Sequence, residues 1–313
     1  LLEVLRETDK PLVLNWPTAP DDNGEVMRYL EENGVPCIMA PGRAVAAMAA
    51  VSEFAEKTRA YAATSKRPFK RVVPRFDLDL PENTATLGEH RAKQVLARYG
   101  IPVVKEKLLS EAEVEALQTP PLAFPLAMKI ESPDVPHKTE AGAVRLDITD
   151  LASLKQGARN VIAAARAHRP NARIEGVLVQ EMASGLEVIV GAVNDAYFGP
   201  TVAFGLGGIF TELMKDVTHR FAPFDEAAAR EMICEIKGAP LLQGYRGQPP
   251  LDIEALAATL ARTSQLIADH ADRISEIDVN PLFVRSAGHG VVAADALIVL
   301  KDQGTETKAR GRT

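Results

Sequence analysis

Cysteine, long apolar runs and excess positive charge are all scarce in this chain, and each scarcity excludes something. Only Cys37 and Cys234 occur in 313 residues, too few for a disulfide framework and without the paired spacing of a zinc site. A reducing, cytoplasmic compartment is expected, with both thiols serving as packing. No apolar run approaches the roughly 20 residues of a membrane span, so no membrane association is expected. Lys and Arg number 36 against 42 Asp and Glu, a net charge of −6, which argues against a nucleic-acid surface, since such surfaces work by neutralising phosphates. Small anionic ligands stay open. The GxxxxGK[ST] phosphate loop is missing, and no internal repeat stands out. The chain opens Leu1-Leu2-Glu3 with neither an initiator Met nor a signal-peptide pattern, so it is expected to be a fragment.

The composition that remains, 46% apolar and 25% charged, is that of a globular protein long enough for two or three units. Short apolar runs at Pro11–Trp16 and Val35–Met39 alternate with helical patterns at Glu25–Glu32 and Gly42–Ala63, the β-α-β-α order of a parallel α/β sheet with crossover helices. Residues 64–83 carry Lys66, Arg67, Pro68, Lys70, Arg71, Pro74 and Pro81 without periodicity and read as a linker. Beyond it, Thr86-x-x-Glu89 and Ser110-x-x-Glu113 have capping-box spacing and predict two helix starts. Between them, Gly100–Val104 reads as a helix stop followed by a strand. Further strands are expected at Phe124–Ile130, Ala143–Ile148, Ile174–Glu181, Leu186–Val193, Thr201–Phe204, Ile274–Val279 and Val291–Val299, and helices at Leu151–His168, Glu226–Ile236 and Ile253–Ala271. Strict alternation is lost here, which suggests an α+β pair of lobes over 84–302. A disordered polar tail is expected over 303–313.

Chemistry concentrates in three places. The first is Met128-Lys129-Ile130-Glu131 leading into Ser132-Pro133-Asp134-Val135-Pro136-His137-Lys138-Thr139. A lysine in an apolar strand is costly to bury unless an anion meets it; the alternative is a stem that packs and a head that snorkels to water. The second is Glu276-Ile277-Asp278-Val279-Asn280-Pro281, where a spacing of two puts Glu276, Asp278 and Asn280 on one face of a strand. A hairpin turning at 285–290 pairs Val284 with Val291 and brings Asn280 opposite Asp295. Those oxygens suit Mg²⁺, unless they are simply a solvated acidic face. The third is Gly205-Leu206-Gly207-Gly208-Ile209-Phe210-Thr211-Glu212, either a close backbone approach to phosphate or a plain tight turn, with Arg220 close behind as a possible phosphate partner. Together Lys129 and the acidic segment read as an ATP site. His137, an idle loop histidine by position alone, would be a competent phosphoryl acceptor beside a nucleotide.

Lys129–Val144, the 205–212 loop and Glu276–Leu282, in that order, resemble the ATP-grasp portion of NDP-forming acyl-CoA synthetases, the family of succinyl-CoA synthetase and ADP-forming acetate–CoA ligase. The likeness covers about Thr84–Leu300, while residues 1–63 resemble the end of the flavodoxin-like ligase domain of fused members. The resemblance implies an ATP-dependent acid–thiol ligase. In it Lys129 contacts phosphates, Val179, Gln180, Glu181 and Met182 form the adenine hinge, and Gly207, Gly208 and Arg220 assist binding. Asp278, Asn280 and Asp295 hold Mg²⁺, and His137 relays a phosphoryl group; Lys129 and His137 carry the catalysis. Coenzyme A and a small carboxylate are the implied co-substrates. The CoA-binding and principal phosphohistidine parts are missing, so they are expected upstream or on a partner subunit in an oligomer. Where the family carries a double glycine this chain has Gly142-Ala143. Other readings of the same residues are a carboxylate–amine ligase of the ATP-grasp type and a nucleotide-sensing module fused to, or partnering, a protein such as an acetyltransferase.

Overall fold

Two short strands, β1 (Leu14–Asn15) and β2 (Cys37–Ile38), pair in parallel in the first part of the chain. Parallel partners need a crossover, supplied here by helix α2 (Pro20–Glu32), and α3 (Pro41–Thr64) then packs on both strands. A short helix α1 (Leu2–Arg6), absent from the sequence expectations, comes first. The computed structural model describes residues 2–16, 20–64, 69–82, 84–135, 138–208 and 216–301. The division into two units falls between residues 68 and 69.

The connector expected over 64–83 is therefore shorter, because residues 69–82 belong to the second unit. Phe76-Asp77-Leu78-Asp79-Leu80 alternates apolar and polar, and Val73, Phe76, Leu78 and Leu80 pack onto the core of that unit. Arg71 forks onto Asp269 at 3.0 and 2.6 Å, while the N–H groups of Val72 and Val73 both donate to Gln265 Oε1 at 3.2 Å. The basic residues that suggested a solvated connector include one half of this clamp. The expected tail at 303–313 lies outside the described residues.

The second unit holds two antiparallel sheets, each with its own core, which is the expected pair of α+β lobes. The smaller sheet runs β4 (Glu106–Leu109), β7 (Gly176–Glu181), β5 (Leu126–Glu131), β6 (Val144–Ile148). Helix α6 (Leu151–His168) covers β5 and β6, and α5 (Glu111–Ala116) packs on α6 and β4. The Ser110/Glu113 capping box is present in full, with Glu113 N–H donating to Ser110 Oγ at 3.2 Å and Ser110 N–H to Glu113 Oε2 at 2.7 Å.

The larger sheet runs β10 (Val217–Phe221), β9 (Gly199–Leu206), β8 (Leu186–Asp195), β11 (Ile274–Val284), β13 (Leu297–Leu300), β3 (Thr86–Leu87), with β12 (Val291–Ala293) also on β11. Its core is closed by α4 (Glu89–Arg98), α7 (Glu226–Glu235), α8 (Ala239–Gln243) and α9 (Ile253–Asp269). Three sequence expectations change here. Thr86 is a strand residue and not a cap, so α4 starts at Gly88 without a side-chain cap of its own. The strand expected over 100–104 reduces to one bridge, Val103 to Ala293, after a Gly100 turn in which Ile101 N–H donates to Leu96 O and Gly100 N–H to Ala97 O. The strand expected over 291–299 is broken at 294–296, because Pro281 opposite has no N–H to give.

Candidate functional site

Strand β5 is buried along its whole length, yet its two faces differ. Met128 and Ile130 enter the core of the small lobe. Period-two geometry sends Ala127, Lys129 and Glu131 the other way. On β11, Ile277 and Val279 are buried while Glu276, Asp278 and Asn280 take the opposite face, as their spacing requires. Val284 pairs with Val291 and Asp278 with Leu297 in one common register, so Asn280 stands level with Asp295. The ladder lapses there, and Ala294 N–H donates instead to Pro281 O at 3.0 Å. On the β8 side the strand shifts register between Val279 and Leu282. The lapse leaves Asp295 in an open turn, where its side chain can reach the other lobe.

Lys129, Asp278, Asn280 and Asp295 all line a single cleft of about 530 Å³ between the two sheets. Lys129 Nζ donates to Asp295 Oδ2 at 2.8 Å, to Glu89 Oε1 at 2.9 Å and to Ala294 O at 3.0 Å. Burial works against this ammonium, but Glu89 and Asp295 outweigh it and hold the Lys129 pKa above its ordinary value. It is an ion-paired lysine on the cleft wall and not a snorkelling one.

Glu89, which the sequence reading passed over, is the centre of the charge network. Its carboxylate is wholly buried and receives Lys93 at 2.7 Å, Lys129 at 2.9 Å and Lys138 at 2.5 Å. Burial would raise its pKa, yet Lys129, Lys138 and Lys93 together hold it well below the usual carboxylate range. Behind it, Lys93 also pairs with Glu106 and donates to Gln180 Oε1 at 2.9 Å, and His90 Nδ1 lies 2.7 Å from Glu106 Oε1. These bonds stitch α4 of the large lobe to the small sheet. Glu131 adds another: its Oε1 accepts the His90 N–H at 3.1 Å, capping α4 from across the lobes. A Cβ on Gly88 would collide with that carboxylate, so a larger residue there would displace Glu131 from the helix end. Glu131 Oε2 is buried without a partner among the described residues, and burial, opposed by Lys138 and the His90 N–H, pushes its carboxyl up to about 7.

The other candidates divide. Gln180, Glu181 and Met182 line the cleft, but Val179 is fully buried in the small-lobe core and offers no side-chain contact there. Gly207 and Gly208 do not line it; Gly207 N–H donates to Glu187 O at 2.8 Å, and Gly208 adopts a positive φ of 61°. They pack against Glu187, which does line it. Arg220 sits on the edge strand β10 and is held by Glu235 at 2.6 and 3.0 Å, so it does not reach the site. His137 and residues 209–215 lie outside the described residues; Lys138 and Thr139, next in sequence to His137, line the cleft. Gly142, at a φ of 64°, allows the turn in which Ala143 N–H donates to Lys138 O at 2.8 Å.

The donor set suits a hard divalent cation. Asp278 is pushed up to about 6, first by burial and then by the carboxylates of Glu276 and Asp295. No helix among the described residues is long and apolar enough to cross a membrane.

Comparison with known proteins identifies the family and the fold. A family model described as an ATP-grasp domain matches residues 80–300. The acetate–CoA ligase [ADP-forming] II subunit beta of Pyrococcus furiosus is 44% identical over 223 residues, covering 71% of this chain and 94% of that protein. Among solved structures, the dinucleotide-forming acetyl-coenzyme A synthetase 1 of Ca. Korarchaeum cryptofilum in complex with coenzyme A, Ca-AMPCP and HgCl⁺ is 41% identical, covers 70% of this chain and 95% of its own, and superposes with a TM-score of 0.65. A second structure of that synthetase, with coenzyme A and Mg-AMPPCP, has its phosphohistidine segment pointing towards the nucleotide binding site; it is 38% identical, covers 69% of this chain and 93% of its own, and has a TM-score of 0.59. With two antiparallel lobes facing one charged cleft and likeness of this extent, the chain belongs to the ATP-grasp family, in the branch of the ADP-forming acetate–CoA ligase beta subunits.

Proposed function

We propose that the cleft binds ATP with Mg²⁺ and that the chain is the nucleotide-handling part of an ADP-forming acyl-CoA synthetase. The observation that carries this reading is the convergence of a small-lobe cation, Lys129, with large-lobe oxygens from Asp278, Asn280 and Asp295 on one cleft of about 530 Å³, a volume typical of nucleotide-sized ligands. Gln180, Glu181 and Met182 on the rim would take the base. Asp278, Asn280 and Asp295 would hold Mg²⁺, whose part is to neutralise charge on the phosphates.

Phosphoryl transfer asks the protein mainly for positioning and charge. Lys129, fixed by Glu89, orients the terminal phosphate. A histidine nitrogen, assigned to His137 on sequence, attacks the γ-phosphorus, and the bond to the ADP oxygen breaks. The phosphoryl group next passes from that nitrogen to the principal phosphohistidine, and from the second histidine to a carboxylate oxygen of the acid, giving an acyl phosphate and freeing both imidazoles. The thiolate of coenzyme A then attacks the acyl carbon and releases inorganic phosphate. The acid, coenzyme A and the principal phosphohistidine are assigned to a partner subunit or an upstream part, in keeping with relatives named as beta subunits.

Incubation with γ-labelled ATP and Mg²⁺ tests the assignment. Acid-labile label is expected on the unaltered chain and not on His137→Ala, while Lys129→Ala should lose both label and nucleotide binding. Unchanged label in His137→Ala removes the relay; unchanged ATP binding in Lys129→Ala removes the phosphate contact.

A further inference from the structure

Lys129 has no hydrogen left to give. An ammonium carries three N–H donors, and the three of Lys129 are committed to Glu89 Oε1, Ala294 O and Asp295 Oδ2. A phosphate can be received only if one of these partners withdraws. Glu89 is wholly buried and shared with Lys93 and Lys138, so it is fixed. Ala294 O belongs to a backbone pinned by the Ala294 N–H to Pro281 O bond. Asp295 differs from both: its side chain is 32% exposed and lies on the cleft wall, and among the described residues its other oxygen is held by the N–H of Ala296 at 2.8 Å alone.

Building on the nucleotide reading above, we infer that Asp295 is a specificity-determining residue that makes the cleft select the metal complex of the nucleotide over the free nucleotide. A bare triphosphate entering the cleft meets a lysine whose donors are all taken and a wall bearing the carboxylates of Asp295 and Asp278. When the Asp295 carboxylate turns to a divalent cation, Lys129 gains a free N–H on the side facing the phosphates. Cation and anion are thus exchanged for each other's protein partner: a phosphate taking the Lys129 N–H alone would leave the Asp295 carboxylate without its cation, while a divalent ion on Asp295 leaves Lys129 paired with Glu89 and one N–H free.

The test is calorimetric titration of ATP, once in EDTA and once with Mg²⁺, into the unaltered chain, Asp295→Asn, Asp278→Asn, Lys129→Ala and the Lys129→Ala/Asp295→Asn double variant. Thermal melts establish that each is folded, and Asp295→Ala serves if Asp295→Asn is not. Metal-free ATP should bind about tenfold more tightly to Asp295→Asn, whose neutral amide oxygen holds the Lys129 N–H more weakly than a carboxylate does and yields it to phosphate. The gain should vanish in the Lys129→Ala background, and Asp278→Asn, which removes a carboxylate that does not bond Lys129, should gain clearly less. An equal gain in Asp278→Asn, or a gain that survives without Lys129, reduces the effect to bulk charge and overturns the inference while leaving the nucleotide site standing. No binding by the unaltered chain even with Mg²⁺ overturns both.

Discussion

Replacing Glu89 with glutamine keeps the shape of the side chain and removes one negative charge from the point where Lys93, Lys129 and Lys138 meet. Breaking a buried ion pair from one side costs about 3–5 kcal/mol. Lys93 keeps Glu106 and Gln180, and Lys129 keeps Asp295, so the lower end, about 3 kcal/mol, is expected. For a unit of this size that corresponds to a fall in Tm of roughly 6–12 °C. The pH dependence has a definite sign. The folded carboxyl sits well below its ordinary value of 4.5, so its stabilisation is complete above that value and is lost as acid protonates the unfolded state first. The gap between the unaltered chain and Glu89→Gln should therefore be widest at neutral pH and narrow by roughly 1.4 kcal/mol per pH unit below about pH 4.5. Circular-dichroism melts at pH 7, 4.5 and 3.5 measure it. Melting within 1 °C at pH 7, or a gap that grows in acid, would refute the network as described.

Two further outcomes are expected. Glu131 holds its proton up to about 7 when folded but releases it near 4.5 when unfolded, so stability falls as pH rises across that window; Glu131→Gln should flatten this slope in denaturant titrations at pH 4.5, 6 and 8, and parallel profiles would count against the burial argument. Arg220→Ala breaks an exposed pair with Glu235 worth under about 1 kcal/mol and should leave Mg·ATP affinity within twofold, whereas a tenfold loss would return Arg220 to the site.

Much of this architecture was legible because periodicity reports burial. Ile277 and Val279 against Asp278 and Asn280 told the two faces of β11 apart, and the register through Val284 and Val291 followed from the turn alone. What escaped shares a cause: its meaning depends on partners distant in sequence. Glu89 and Lys93 are four apart on a helix, a spacing that reads as an ordinary surface pair; nothing local says that Glu106, Lys129 and Asp295 will bury it. Thr86-x-x-Glu89 has the spacing of a cap, yet Thr86 is claimed by Val299 of β13 and the capping role passes to Glu131. Val179 lies within the hinge segment but, one residue from Gln180 on a strand, points the other way. Arg220 stands near the glycines in sequence, but β10 returns antiparallel to β9 and carries it along the sheet edge to Glu235.

The extended run from Phe69 to Glu82 has a consequence for the smallest piece of this chain that folds alone. Phe76 meets the Tyr99 ring edge-on at 5.2 Å beneath the Arg98 guanidinium, and the Tyr99 hydroxyl donates to Asp269 at 3.0 Å, the same carboxylate that Arg71 grips. Trimming the chain to its first recognisable motif would strip that cover from α4 and α9 and leave an oily seam in water. The durable starting point for an excised domain is residue 69, well ahead of the chemistry it serves.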